Sequence, residues 1–346
     1  MIAVYDNFEK FLSLEQEWKR LQDISPDATP YQSFEYTKAA LEFLSPLQPH
    51  ILGWSRKGTL MALFPCIIDG KGTLRFINDA HTDFCGPVLS PECAGDYHLC
   101  EELAEHIGTC REIKRVRFEN MRSRLFQSSL QYHLKSSFLF AYRKFSSLAI
   151  PAIGDAKSAI DTLANLSTKE KYRLKNIASK TQKDNLEFKK YIAGENPWPD
   201  DMIRNLSASM ISAGIRKKSY FSERFLDFLK DIYDSGLMTI MATYAEGEPL
   251  ACNLFLHGKG EMIDWIALYR DPSSNGRNLL QFIMDFSREG GGVLNFARGV
   301  YMYKMHNYRP ALSDLDRLRY SKSFLGRAAD AAGCFVEEIK RSKHSR

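Results

Sequence analysis

Gly247-Glu-Pro-Leu-Ala-Cys-Asn-Leu-Phe255, running into Gly258-Lys-Gly260 and a further apolar run, has a counterpart in the first half of the chain. There Gly58-Thr-Leu-Met-Ala-Leu-Phe64 runs to Gly70-Lys-Gly72 and another apolar run. The turn glycines supply the positive-φ positions that tight hairpins need. After each copy come a loop with Asp and Pro, a helical pattern and a short strand: Arg115-Val-Arg-Phe118 in the first, Val293-Leu-Asn-Phe296 in the second. The same order of elements, kept twice, marks an internal repeat and two domains built on one α/β plan.

The rest of the chain fits around these copies. At about 150 residues per domain, 346 residues make two domains. The apolar run Phe138 to Ile150 is broken by Pro151 and Gly154, which places the boundary there and predicts domains 1–150 and 151–346. Periodicity predicts helices near Phe8 to Trp18, Ser33 to Phe43, Tyr97 to Cys110, Lys157 to Leu163, Thr168 to Lys180, Asp200 to Ala213, Ser222 to Tyr233, Asn278 to Arg288 and Lys322 to Lys340. Strands are expected at Ile51 to Ser55, Leu60 to Ile68, Thr73 to Asn78, Met238 to Tyr244, Leu250 to His257 and Glu261 to Tyr269.

Composition excludes several classes. Hydrophobic residues at 44% and charged residues at 26% suit a globular protein, not a disordered or collagen-like chain. No run approaches 18 uncharged apolar residues, and the first ten residues lack a signal peptide's basic and apolar regions. Seven cysteines, an odd number with no Cys-x-x-Cys pair, argue against a disulfide framework and a structural zinc site. The expectation is a cytoplasmic protein with reduced thiols and no metal. The net charge of +5 is concentrated: residues 167–190 hold eight Lys/Arg against three acids. A helix there either docks a phosphate-bearing substrate, RNA or an acidic membrane surface, or is a solvated face.

Two stretches could carry chemistry. In Leu268-Tyr-Arg-Asp-Pro-Ser-Ser-Asn-Gly-Arg-Asn-Leu-Leu280 a strand ends, a Ser/Asn/Gly loop follows and a helix begins. Free backbone N–H groups there, with Asn275, Gly276 and Arg277, favour a phosphate. The same loop also reads as a helix capped by Ser274 or Asn275 with no ligand. Further on, a strand delivers Arg298 and Gly299 at its C-terminal end, followed by Tyr303, Lys304 and His306. The alternative there is an exposed strand end with a snorkelling Lys304. His81, Asp83 and Cys85 alternate on an extended segment; without a third ligand at usable spacing, Asp83 is left as a structural or acceptor-site residue.

At this point the sequence resembles the CelD/BcsL-type (BioF-like) acetyltransferases of the GNAT superfamily, relatives of the Fem-type peptidyltransferases. The resemblance rests on an ordered set: Trp18-Lys-Arg-Leu21, Pro30-Tyr-Gln-Ser-Phe34, Ala62-Leu-Phe-Pro65, Thr82-Asp-Phe84, the basic Ser167-to-Asn176 segment, Gly247-to-Ala251, Asp271-Pro272 with Asn275-Gly276, and Arg298-Gly299 with Tyr303-Lys304. It implies tandem GNAT-like domains, each a mixed, mostly antiparallel sheet flanked by helices. Acetyl-CoA or another acyl-CoA is the implied donor, held at Asn275, Gly276, Arg277 and Arg298, although Arg277-Asn278 replaces the later small residues of the family's loop. Tyr303 is implied as proton donor to the leaving thiolate. Arg298 and Lys304 would hold anions, and Asp83 or His306 would orient or deprotonate the acceptor. The implied acceptor is a sugar-containing or lipid-linked cell-envelope or exopolysaccharide precursor. A Fem-like ligase using aminoacyl-tRNA and a non-catalytic scaffold are the alternatives.

Overall fold

Two turns are built alike. Lys57-Gly58 and Glu246-Gly247 each place two consecutive residues at positive φ, +51° and +79° in the first, +52° and +82° in the second. That pair of angles matches the right-handed twist of two flanking strands, so both close two-residue hairpins. The computed structural model in which they lie describes residues 2–45, 47–77, 79–122, 124–135, 139–151, 160, 161, 163, 165–218 and 221–344.

The chain forms two compact units, Met1–Tyr142 with Asp314–Arg346, and Arg143–Ser313. A division at residue 150 puts the C-terminal segment in the second domain; in these units it groups with the first. The first unit runs β1 (Ile2–Tyr5), α1 (Phe8–Leu12), α2 (Glu15–Ile24), α3 (Phe34–Ala39), β2 (Ile51–Arg56), β3 (Thr59–Phe64), β4 (Cys66–Ile68), β5 (Thr73–Phe76), β6 (Val88–Leu89), α4 (Tyr97–Thr109), β7 (Arg115–Met121) and α5 (Arg124–His133). Pro65, which has no N–H to donate, separates β3 from β4. The strands divide there into β1-β2-β3-β6 and the run β4-β5-β7. β5 and β7 pair in parallel with α4 between them in sequence. Leu52, Trp54, Phe64, Leu103, Ile107, Phe118 and Phe126 are core residues of this unit.

The second unit contains β8 (Leu139–Pro151), α6 (Thr168–Lys183), β9 (Glu187–Ile192), α7 (Asp200–Ser212), α8 (Glu223–Asp234), β10 (Met238–Ala245), β11 (Glu248–His257), β12 (Glu261–Tyr269), α9 (Pro272–Arg288), β13 (Gly291–Arg298) and α10 (Met302–Tyr308). Its strands lie in the order β8-β13-β12-β11-β10-β9, antiparallel except for β12 with β13. The core packs α9 on the sheet: Phe255 and Phe282 stack at 3.5 Å, with Ile283, Leu294 and Phe296 around them. The chain then returns to the first unit through β14 (Ala311–Ser321), antiparallel to β7, and ends in α11 (Phe324–His344).

Each unit thus repeats hairpin, second hairpin, helix and parallel strand, the repeat read from the sequence. In each unit the strand pairing is mostly antiparallel with one parallel pair, β5 with β7 and β12 with β13, and helices flank it; β1-β2-β3-β6 is antiparallel throughout. Six elements were not expected: β1, β6, α5, β9, α10 and β14. The helix expected over Lys157 to Leu163 falls for the most part outside the described residues. Among the described residues, no helix is long and apolar enough to cross a membrane.

Candidate functional site

A parallel pair that comes apart forms the site. β12 and β13 are in register only from Glu261–Val293 to Ile263–Asn295; β12 then continues to Tyr269 and β13 to Arg298. β13 is irregular between Asn295 and Arg298, where Ala297 sits at φ +55° and its N–H is held by the Asn295 side chain at 2.9 Å. A left-handed alanine is strained by about 1–2 kcal/mol, and such strain concentrates at functional sites.

Buried polar groups line the interior beside this notch. Asn278 on α9 is wholly buried; its Nδ2 donates to Met241 O at 2.9 Å and to Asn253 Oδ1 at 2.8 Å, and its Oδ1 accepts from Thr243 Oγ1 at 2.8 Å. Asn253 Nδ2 in turn donates to Asp264 Oδ1 at 2.9 Å. Burial pushes the Asp264 carboxyl above its ordinary 3.8, while Asn253 and the charge of Lys304 pull the other way. Lys304 is 4% exposed, donates from Nζ to Phe296 O, and lies over the rings of Tyr301 and Tyr303.

The structure brings Arg298, Tyr303, Lys304 and His306 together on the end of β13 and on α10. Tyr303 is 41% exposed, yet its phenol is pushed well above 10.0, by desolvation first and then by Asp264. At neutral pH it holds its proton and serves as a hydrogen-bond donor more readily than as an acid. Val300, Tyr301, Met302 and Tyr303 form an exposed apolar stretch in which the two tyrosine rings stack at 6.3 Å. His306 is exposed. Asp83 lies in the first unit, before β6, and accepts from the Tyr31 hydroxyl at 3.3 Å.

Asn275, Gly276 and Arg277 lie within the first turns of α9, not on a loop before it. The helix starts six residues before the expected Asn278 because Asp271 caps it and Pro272 takes its first position. Asp271 accepts from the Ser273 and Ser274 backbone N–H groups at 2.9 and 3.1 Å and from both hydroxyls at 2.5 and 2.6 Å. Those bonds hold its carboxyl below its ordinary range against the effect of burial. The donors expected to meet a phosphate meet this carboxylate. Arg277 pairs with Asp184 at 2.6 Å. Sequence reasoning passed over Asp271 because Ser274 and Asn275 competed as caps, and passed over Thr243, Asn253 and Asp264 because their strands read as plain apolar runs.

Cationic surface lies elsewhere on each unit. On α6, Lys169, Tyr172, Arg173, Asn176, Lys180 and Lys183 are all exposed at helical spacing. In the first unit a groove of about 590 Å³ is lined by Lys71, Arg111, Lys114, Arg115 and Lys322, with no acidic side chain.

No family model matches the sequence, and no curated protein is similar to it at the sequence level. Solved structures are similar in fold. FemX aligns over 89% of this chain and 96% of its own at a TM-score of 0.61 and 8% identity. L-PGS from Bacillus licheniformis aligns over 94% and 95% at 0.58 and 15%. The C-terminal domain of a provisionally assigned lysylphosphatidylglycerol synthetase from Agrobacterium fabrum aligns over 92% and 95% at 0.57 and 11%. These neighbours are GNAT-fold proteins, and the chain shares that fold.

Proposed function

We propose that the chain is a GNAT-fold acyltransferase that takes an aminoacyl group from aminoacyl-tRNA and passes it to an amine or hydroxyl of a cell-envelope precursor. The carrying observation is Asp271. A carboxylate closing the N-terminus of α9 uses the donors that an acyl-CoA pyrophosphate needs and repels its charge. A tRNA ester makes no such demand on that helix end. The exposed basic stripe with Tyr172 on α6 suits an RNA backbone. The stacked, exposed Tyr301 and Tyr303 suit the bases of a single-stranded end. Among the structural neighbours, a lysylphosphatidylglycerol synthetase is by name a maker of an aminoacylated lipid.

In the reaction so proposed, the acceptor attacks the ester carbonyl and the terminal ribose hydroxyl leaves with a proton. Strand N–H groups of β12 beyond Ile263 are the proposed oxyanion donors, Lys304 supplies positive charge, and Tyr303 hydrogen-bonds the departing oxygen. Arg298 and His306 are proposed to orient the donor and acceptor. The deciding experiment pairs two measurements on the full chain. Filter binding of charged tRNA should weaken steeply between about 50 and 200 mM salt. Acetyl-CoA should leave the melting temperature unmoved at concentrations where a specific ligand adds about 2–3 kcal/mol. Stabilisation by acetyl-CoA without tRNA binding would restore the acyl-CoA donor.

A further inference from the structure

The C-terminal end of α4 carries a second cluster of chemistry-bearing groups, in the first unit. His106 and Cys110 are four residues apart, so their side chains share one helical face. His50, just before β2 and fixed by its own N–H to Cys66 O at 2.7 Å, faces them. The donor atoms of all three lie within 4.8 Å of one another, and the two imidazole rings are 6.0 Å apart. Independently, the buried Nε2 atoms of both His50 and His106 have no hydrogen-bond partner among the described residues. His50 is only 9% exposed. Leaving a buried polar atom unmet costs about 1–3 kcal/mol, so two such atoms beside a thiol call for a shared partner.

We infer that His50, His106 and Cys110 form a transition-metal site, occupied by zinc(II), that clamps the segment before β2 to the end of α4. Two imidazoles and a thiolate are the donors of a borderline metal, not of magnesium or calcium. Zinc bonds of about 2.0–2.3 Å place tetrahedral ligand atoms roughly 3.3–3.6 Å apart, a closure of at most about 1.5 Å from a spacing within 4.8 Å. The fourth position is left to water. Lys322 stands close, with Nζ on the Cys110 carbonyl at 2.7 Å. The thiolate and the negative end of the α4 dipole offset that charge. The absence of a Cys-x-x-Cys pair, which argued against zinc in the sequence, does not bear on a site assembled from one loop and one helix.

The test is metal content and cobalt(II) spectroscopy of the purified full chain. Zinc at one equivalent, and a cobalt(II) form with thiolate charge-transfer and four-coordinate visible bands, are expected. Cys110→Ser should abolish the charge-transfer band, and His106→Gln should weaken cobalt binding beyond the ~10–100-fold that loss of an outer partner costs. Substoichiometric zinc together with a six-coordinate cobalt spectrum in the unmodified chain overturns the site, whatever the variants do. So does a charge-transfer band that survives in folded Cys110→Ser.

Discussion

Asn278 on α9 donates to Asn253 on β11 at 2.8 Å, inside a region closed to water. That bond fixes the helix after β12 to the sheet and hands the chain of polar contacts on to Asp264. Asn278→Ala would remove one donor from the Met241 carbonyl, leave Asn253 Oδ1 without the Asn278 donor and leave the Thr243 hydroxyl without its acceptor. Loss of about 2–4 kcal/mol is expected, since each buried orphan costs about 1–3 and the bonds reinforce one another. Urea unfolding, followed by a probe in the second unit, measures it.

Asp271→Ala has two opposite effects. Removing the cap should cost about 0.5–2 kcal/mol in stability, read as a lower urea midpoint at unchanged slope. It also frees the Ser273 and Ser274 N–H groups, so the variant should gain affinity for phosphate or CoA that the unmodified chain lacks. Isothermal titration with CoA against both proteins reads the second effect; equal binding by both would count against the assigned role of this carboxylate.

The hairpins were legible because Lys57-Gly58 and Glu246-Gly247 carry their geometry locally. β14 was not. Its Asp316, Arg317, Leu318 and Arg319 are all buried, and charges in a run read as surface until their partner is known. The partner is Glu119 on β7, which ion-pairs with both Arg317 and Arg319. It lies 200 residues away from Arg319 in sequence. The site shows the same limit. Arg298, Tyr303, Lys304 and His306 were found together because they are neighbours in sequence. Asp264 and Asn253 come from strands whose polar residues show their role only once α9 crosses them.

Acid should weaken the protein through His257. Burial holds His257 below 6.5, with Lys190 adding to it. Between the folded value and 6.5 the unfolded chain binds the extra proton, so the contribution is complete above 6.5 and is lost as pH falls through the folded pKa. His257→Gln should flatten the stability-versus-pH curve below pH 6.5 by up to about 1.4 kcal/mol per pH unit. Melting temperatures across that range, unmodified against variant, show whether it does.

Gly299 has φ +108°, and a Cβ there would meet Tyr301 Cε2 at 2.5 Å. Gly299→Ala therefore strains the backbone by about 1–3 kcal/mol and pushes the Tyr301 ring away from Tyr303 and Lys304. Under the proposed function, transfer activity should fall more than stability does. Single-turnover rates set beside the urea midpoint separate the two; a rate that tracks stability alone would remove the tyrosine pair from the donor site.

The basic stripe on α6 offers a test that folding cannot confuse. Lys169 and Lys180 are exposed, so replacing each by Ala should change stability by no more than about 0.5 kcal/mol. If each neutralises a phosphate of the donor, binding weakens evenly across tRNA sequences, and the slope of log affinity against log salt falls by about 1 for each. The double variant should lose about 2 from that slope, because the two lysines lie three turns apart and have no shared partner. Acyl transfer at saturating tRNA should stay at the unmodified rate, since neither side chain belongs to the β12–β13 notch. A slope that does not move would leave α6 a solvated face, and the donor's phosphates would then have to be sought on another surface of the second unit.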